Sequence, residues 1–293
     1  LLPNTFYAKM TGFNWFRLRT GFHYVHTFAR IAPYLLPLTL LTSIFLYYRG
    51  KWCWKTAYML SLVGGHTAYI IYTGGDHMPA YRFFVPMIPL MGWIIASAGS
   101  EYLTIQRVPA WLITGLLILL VMAQVLTRNE QMLNAKRLDP AAAVGADVGH
   151  WLASHLPTGS VVALNTAGST PYHARQLAFI DMLGLNDRQI AHRHHVPIRT
   201  PWQRYPGHAK GDGQYILSRH PDVIILGPAE GLTADPAHAD REDVVWFLSD
   251  QELAESEEFR RHYQRQRVVF QGRSGVQRTL TYYRRQPDAG SQR

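Results

Sequence analysis

The sequence predicts an α-helical membrane bundle followed by a soluble α/β extracytoplasmic domain. The first 126 positions contain four apolar runs of 17 to 20 residues, and helices of that length can cross a hydrocarbon core of about 30 Å. Beyond them the apolar stretches become short and are separated by turn residues, which is typical of an α/β fold. The first 126 residues also carry nine Lys and Arg against two acidic residues. The predicted domains are residues 1–128 and 129–293.

The four apolar runs are the predicted transmembrane helices, at residues 29–48, 56–72, 83–100 and 110–126. Gly64-Gly65-His66 interrupts the second run, so a re-entrant segment remains an alternative there. The connection between the first two runs contains Arg49, Lys51 and Lys55 beside tyrosines and tryptophans, and such loops usually face the cytoplasm. A multi-pass protein is therefore predicted, with the segment around Asp76 and the C-terminal domain outside.

The second half alternates helical and strand patterns. A helical periodicity covers residues 141–155, and the segment 213–220 is a second predicted helix. Strands are predicted at residues 161–164, 178–180, 222–227, 264–270 and 276–283, the last two as an antiparallel pair. The acidic run at 250–258 is interpreted as a solvated helix face. These patterns predict a mixed sheet with its own core.

The charge distribution argues against a nucleic-acid partner. The net charge is +9, of which +7 belongs to the first 126 residues. Basic residues beside apolar runs are the normal signature of membrane orientation and of contact with anionic lipid. The sequence therefore predicts the lipid bilayer as a partner, and no nucleic acid.

The most informative polar segment lies between the second and third apolar runs. It contains Gly74-Gly75, which permits a tight turn, then Asp76 and His77, and then Arg82. Ionisable groups so close to a bilayer are costly, which makes them functional candidates. Arg82 could bind a phosphate, and Asp76 could act as a base or hold a metal. The alternative is that Asp76 and Arg82 pair with each other and only fix the segment.

Other candidate residues are less specific. His66, beside two glycines, is interpreted as a packed and hydrogen-bonded histidine rather than a catalytic one. The histidines at 192, 194 and 195 lack the spacing of a strong zinc site and are assigned to a solvated loop. Residues 165–168 follow a strand but lack a phosphate-loop motif. No cofactor is implied, and a divalent cation at Asp76 stays open.

Several blocks resemble bacterial integral-membrane glycosyltransferases of the GT-C superfamily, in the group that includes mycobacterial terminal arabinofuranosyltransferases. The most specific block is residues 74–86, GGDHMPAYRFFVP, and a second is residues 2–9, LPNTFYAK. Weaker similarity is present in the second half, at residues 180–187, 207–213 and 221–225. The match covers both halves and identifies the chain with the C-terminal portion of such an enzyme.

The resemblance implies an inverting transferase of the bacterial cytoplasmic membrane. It would take a sugar from a polyprenyl-phosphate donor and add it to a glycan, lipid or protein acceptor outside the cell. The general base of such enzymes is expected in an external loop that would precede Leu1. Within this sequence the resemblance assigns Asp76 and His77 as catalytic or orienting residues. The substrate-binding candidates are Arg82, Lys9, Asn4, Tyr81, Lys210 and Asp212.

Two further functions remain open from the sequence. The chain could be a membrane-anchored glycan-binding or envelope-assembly protein without catalysis. A transporter is a third alternative, but four predicted spans and a large external domain show no paired repeat.

Overall fold

The computed structural model describes residues 2–9, 15–76, 79–106, 109, 111–112, 114–116, 118–119, 122, 140–227, 245–273 and 275–287. The chain divides into two compact units. One unit combines Leu1–Gly12 with Leu138–Arg293, and the other is Phe13–Arg137.

The Phe13–Arg137 unit is helical. Its elements are α2 (Trp15–Ile31), α3 (Leu35–Tyr48), α4 (Trp54–Thr73), a 3₁₀ segment (Pro79–Met87) and α5 (Ile88–Gln106). Helix α2 packs on α4, and α3 packs on α5. Aromatic rings form much of the core: Phe28 stacks on Phe84 with ring centroids 3.9 Å apart, and Tyr24 lies parallel to Phe84 at 6.1 Å. This core lies directly behind the segment that carries Asp76 and Arg82.

The predicted fold class, with a membrane bundle as its first half, is wrong. Among the described residues one continuous stretch, Ala80–Tyr102, is long and apolar enough to cross a membrane, with 23 residues and a mean hydropathy of 1.6. Helices α2 and α3 meet this criterion only as a pair, and they are bent by 84°. The predicted run 29–48 is not one helix, because the chain breaks around Pro33.

The predicted span at residues 56–72 is not supported either, and the span at residues 110–126 stays untested. Helix α4 covers the predicted run 56–72, but Gly64, Gly65, His66 and its hydroxyl side chains dilute its apolar character, and it is not among the stretches that meet the criterion. Most of the run 110–126 lies outside the described residues. The overall architecture is an α/β protein with a mixed sheet.

The other unit contains this sheet. Within the described residues its strands are β1 (Val161–Leu164), β2 (Ala178–Asp181), β3 (Val223–Ile225), β4 (Tyr263–Gln271) and β5 (Gln277–Arg285). The strand order is β2-β1-β3-β5-β4, in which β1 is parallel to β2 and β3, and β5 is antiparallel to β3 and β4. The helices are α1 (Asn4–Lys9), α6 (Pro140–His155), α7 (Ser169–His173), α8 (Arg188–Ala191), α9 (Gly213–Ser218), α10 (Leu248–Glu255) and α11 (Glu257–His262), with a 3₁₀ turn at Pro201–Arg204.

The central strands are buried on both faces, which explains their apolar sequences. Ala163 and Ile224 point into a core with residues of α8, α9 and α10, whereas Val162 and Ile225 pack with residues of α6 on the opposite face. All four side chains are fully buried. A parallel sheet covered on both faces requires such continuous apolar runs. The arrangement directs the carboxyl ends of β1, β2 and β3 to one edge of the sheet.

A buried ion pair joins α6 to the β4–β5 hairpin. The Nε of Arg278 donates to Asp147 Oδ2 at 3.0 Å, and the backbone N–H of Arg273 donates to Asp147 Oδ1 at 2.9 Å. The Asp147 and Arg278 side chains are only 6% and 13% exposed. Gly272 leaves room for this carboxylate, because a Cβ at that position would lie 2.3 Å from Asp147 Oδ2.

Gly272→Ala is therefore expected to loosen the hairpin. The added methyl group must displace a carboxylate that two donors hold in place, and overpacking of this kind costs about 1–3 kcal/mol. Hydrogen–deuterium exchange of β4 and β5 in the full chain should accelerate, by about tenfold for each 1.4 kcal/mol. The control Gln277→Ala, at an exposed position of β5, should leave exchange nearly unchanged. Equal exchange in both variants would contradict this account of Gly272.

Candidate functional site

The Asp76–Arg82 segment begins with a turn that only glycine permits easily. Gly74 ends α4 in the left-handed conformation, with φ +90°, and Gly75 follows with φ +75°. Gly75 also lies against the ring of Tyr24, since a Cβ on Gly75 would come within 2.7 Å of it. The turn is therefore fixed both by backbone conformation and by the aromatic core beneath it.

Asp76 and Arg82 form an ion pair. The Nε of Arg82 donates to Asp76 Oδ2. The Asp76 side chain is only 5% exposed, whereas that of Arg82 is 56% exposed. The sequence left open whether Asp76 and Arg82 pair with each other, and the structure shows that they do. It also leaves the guanidinium on the surface, held by a covered carboxylate.

The backbone between the paired residues is strained. Ala80 has φ +69° and Tyr81 has φ +48°. Residues other than glycine rarely adopt this left-handed backbone conformation. Strained residues of this kind cost about 1–3 kcal/mol each and cluster at functional sites. The surrounding core maintains the conformation: Tyr81 is 6% exposed, with its ring 5.0 Å from that of Tyr24.

Ala80→Gly should stabilise the helical unit by about 1 kcal/mol, because glycine adopts a positive φ without steric cost. The expected result is a thermal unfolding midpoint of the full chain that rises by a few degrees. Ala98→Gly, in the middle of α5, is the matched control and should lower the midpoint. If Ala80→Gly destabilises the chain as Ala98→Gly does, the left-handed conformation at residue 80 is contradicted.

The other predicted residues of this segment have different surroundings. His77 lies outside the described residues. Tyr81 belongs to the aromatic core, as described above. His66 forms a hydrogen bond between its Nε2 and the carbonyl oxygen of Phe83 at 2.7 Å, so it supports the 3₁₀ segment from within the helical unit. That contact agrees with the interpretation of His66 as a packed, hydrogen-bonded histidine.

Asn4 and Lys9 belong to the α/β unit, at the two ends of α1. Helix α1 packs on α8, and the ring of Tyr7 lies over that of His192 with centroids 4.1 Å apart. Lys9 runs past Gly207, since a Cβ on Gly207 would lie 3.7 Å from two carbons of the lysine stem. The block at residues 2–9 therefore meets residues of the second half within one unit.

Lys210 and Asp212 have structural partners. Lys210 is 5% exposed, and its ammonium group donates to the carbonyl oxygen of Arg193. Burial lowers the pKa of Lys210, and the neighbouring Arg193 lowers it further. The Asp212 carboxylate caps α9 by accepting the Tyr215 N–H at 3.0 Å. Both residues therefore stabilise the chain between the 3₁₀ turn and α9.

Asp250 lies at the carboxyl ends of the parallel strands, where α/β proteins usually bind their ligands. The connections run to opposite sides of β1, so the crevice between β1 and β3 is the expected ligand position. In it Asp250 Oδ2 accepts N–H groups of Gly227, Trp246 and Phe247 at 3.2, 3.1 and 3.0 Å, and Oδ1 accepts the Asn165 amide at 2.7 Å. An internal carboxylate thus occupies the position at which nucleotide-binding proteins with this strand order bind an anion.

Asp250 is also electrostatically unusual. It is fully buried, and burial raises its pKa to about 6, although the hydrogen bonds from Phe247, Asn165, Trp246 and Gly227 act in the opposite direction. The interpretation of residues 250–258 as a solvated face is therefore wrong for Asp250. The signal that could have indicated this role is its position three residues after Phe247, where an acidic side chain satisfies the first N–H groups of a helix.

A second polar site escaped the sequence analysis. An open cleft of ≈ 510 Å³ is lined by Asn186, Asp187, Arg188, Gln189, His192 and Tyr215. Part of it falls in the block at 180–187 that carries the resemblance, which was the available signal. Within the described residues no three His, Cys, Asp or Glu side chains are grouped to hold a metal ion.

Comparison with known proteins gives one match. A family model described as "Domain of unknown function (DUF8728)" matches residues 129–283. No curated protein and no solved structure matches the chain. The matched residues cover more than half of the sequence and include the whole five-stranded sheet, apart from the last two residues of β5.

Proposed function

The chain belongs to the family of the domain of unknown function DUF8728, and we propose that it is part of a polyprenyl-phosphate-sugar-dependent glycosyltransferase of the inverting GT-C type. It would add a sugar, arabinofuranose by the resemblance, to a glycan, lipid or protein of the bacterial cell envelope. The family description names no activity, so the proposal is supported by the resemblance at residues 74–86 and by the geometry of that segment.

The observation that carries the proposal is the exposed guanidinium of Arg82. The ion pair with Asp76 uses Nε, and a guanidinium has two further nitrogens that can bind a phosphate. In an inverting transfer the acceptor oxygen bonds to the anomeric carbon while the bond to the carrier phosphate breaks. The phosphate departs with the electron pair, and a base takes the acceptor proton. Arg82 would stabilise the departing charge, and Asp76 would position Arg82.

The position of Arg82 in the chain supports this role. The candidate membrane helix Ala80–Tyr102 begins two residues before it. An arginine at the end of a membrane helix lies at the level of the lipid phosphates. We therefore place the protein in the bacterial cytoplasmic membrane through this helix, with the α/β domain on the outer side, where polyprenyl-phosphate sugars would be used.

An envelope-assembly protein that binds glycans without catalysis is the second candidate. The observation in its favour is the polar cleft at residues 186–192, which needs no catalytic group to bind a sugar. In this alternative the Asp76–Arg82 pair only maintains the hairpin.

Mass spectrometry of lipid-linked sugars and envelope glycans tests the proposal. Cells lacking the full-length gene should accumulate the carrier-linked sugar and should contain a glycan that is short of one residue. Complementation with wild-type protein or with Arg49→Ala, an exposed arginine at the end of α3, should restore the profile, whereas Arg82→Ala should not. Restoration by Arg82→Ala at normal expression would exclude the role proposed for this residue and favour the assembly protein.

A further inference from the structure

The α/β unit contains a preorganised polar cleft that the transfer proposal does not use. Its lining comes from the segment after β2 and from the first turns of α9 (Asn186, Asp187, Arg188, Gln189, His192 and Tyr215). Its volume of ≈ 510 Å³ falls in the range of about 300–1,000 Å³ that small-ligand sites have. The following contacts determine which class of ligand it fits.

Backbone hydrogen bonds to Asp181 hold the segment after β2. The two carboxylate oxygens accept the N–H groups of Leu183 at 3.0 Å and Asn186 at 2.7 Å. Burial raises the pKa of Asp181, although these hydrogen bonds oppose the rise. Asp187 then caps α8 by accepting the Ile190 N–H at 3.1 Å. The backbone is thus fixed, while the side chains of Asn186 and Gln189 remain exposed.

The two rings of the cleft are also fixed. The hydroxyl group of Tyr215 donates to Asp187 Oδ2 at 3.2 Å and accepts from Arg219 at 2.7 Å. The Nδ1 of His192 donates to the Arg188 carbonyl oxygen at 2.8 Å, and Tyr7 covers one face of its ring. Both rings are therefore ordered before a ligand binds, so binding would cost little side-chain entropy.

We propose that this cleft binds a neutral oligosaccharide. Sugar hydroxyls need donors and acceptors close together, and the exposed amides of Asn186 and Gln189 offer both. Asp187 adds an acceptor, Arg188 adds donors, and the rings of Tyr215 and His192 suit the C–H faces of a sugar, since aromatic rings combine an apolar face with a polar edge. This proposal does not rest on the transferase activity, because binding requires neither the donor nor Arg82.

The lining disfavours two other ligand classes. A nucleotide or a free phosphate would meet the Asp187 carboxylate and would find no glycine-rich loop in residues 186–192. An apolar ligand would find no aliphatic side chain among the six lining residues, and its burial would gain little free energy.

A binding titration with the full-length protein in detergent micelles tests the proposal. Fluorophore-labelled tetrasaccharides of a hexose and of a pentofuranose are the probes, with labelled ADP as the anionic probe. Wild-type protein should bind at least one tetrasaccharide. Asn186→Ala/Gln189→Ala should raise Kd by about tenfold or more, because the variant loses both exposed amides and their hydrogen bonds to the sugar. Gln214→Ala, an exposed amide on α9 outside the lining, should bind as wild type does.

Three results would overturn the proposal: no tetrasaccharide binding by wild type, equal binding by the double variant, or tighter binding of ADP than of either tetrasaccharide. Both substituted side chains are exposed, so the double variant should keep the wild-type melting temperature. Arg82→Ala should retain full oligosaccharide binding. A loss of transfer with unchanged binding in that variant separates this site from the transfer site.

Discussion

Asp250→Ala should destabilise the α/β unit more than any other single substitution considered. The change removes one carboxylate that accepts four hydrogen bonds, three from backbone N–H groups and one from the Asn165 amide. Buried donors left without acceptors cost about 1–3 kcal/mol each, so we expect a loss of at least about 4 kcal/mol, allowing for partial relaxation. A melting temperature lowered by ten degrees or more in the full chain, with rapid hydrogen exchange at the ends of β1 and β3, is the expected measurement.

Glu257→Ala is the matched control for Asp250→Ala. Glu257 is also acidic and helical, but its ion pair with Arg261 joins side chains that are 78% and 75% exposed. Exposed pairs contribute little to stability, so the melting temperature should stay within about one degree. A mild effect of Asp250→Ala, comparable with that of the control, would show that Asp250 does not connect the two strand ends.

The same carboxylate gives a pH dependence with a definite sign. Because burial raises the pKa of Asp250 to about 6 in the folded state, and an unfolded chain has an Asp pKa of about 3.9, the folded state binds more protons between these values. This contribution to stability is present below pH 4 and is lost as pH rises to 6. As the pH rises from 4 to 6, the melting temperature of wild type should therefore decrease relative to that of Asp250→Asn. A difference between the two proteins that does not change with pH would contradict the raised pKa.

Arg82→Ala should reduce the rate of sugar transfer by about 10²- to 10³-fold, the usual effect of removing a group that stabilises transition-state charge. The carrier phosphate gains negative charge as the sugar departs, so kcat should fall more than KM rises. Arg82→Lys should recover part of the rate, since it retains the charge without the planar fork. Single-turnover transfer by the full-length enzyme in membranes measures these effects.

A second variant separates loss of charge from loss of structure. Arg82→Ala leaves the nearly buried Asp76 carboxylate without this partner, which could disturb the hairpin by itself. Asp76→Asn/Arg82→Ala removes both charges. If the double variant is as slow as Arg82→Ala, the guanidinium acts on the substrate; if it recovers the wild-type rate, Arg82 only balances Asp76.

Sequence patterns predicted those elements of the fold that depend on a few neighbouring residues, such as single strands. The predicted strand at residues 161–164 has the same bounds as β1, and the strands predicted at 264–270 and 276–283 correspond to the antiparallel pair β4–β5 within two residues at each end. These patterns work because side-chain burial alternates or persists along a few neighbouring residues. The predicted spans at residues 29–48 and 56–72 were wrong, because the length of an apolar run does not account for the break around Pro33 or for the polar residues within α4.

The sites depend on contacts between distant segments, which a single sequence does not encode visibly. Asp250 resembles its acidic neighbours in sequence, yet it is buried because the ends of β1 and β3 present donors to it. The cleft joins Asn186 and Tyr215, which come together only after β2 and α9 pack. In contrast, Asp76 and Arg82 are only six residues apart, and their pairing was one of the two alternatives that the sequence left open.

The most direct measurement of the central claim is transfer of a radiolabelled sugar from a polyprenyl-phosphate donor by the purified full-length protein. The account predicts that label appears in the glycan acceptor and that polyprenyl phosphate is released in equal amount. Arg82→Ala should slow both by about 10²- to 10³-fold, whereas Arg49→Ala should leave them unchanged. Absence of transfer by a folded wild-type protein that still binds the oligosaccharide, or undiminished transfer by Arg82→Ala, would contradict it.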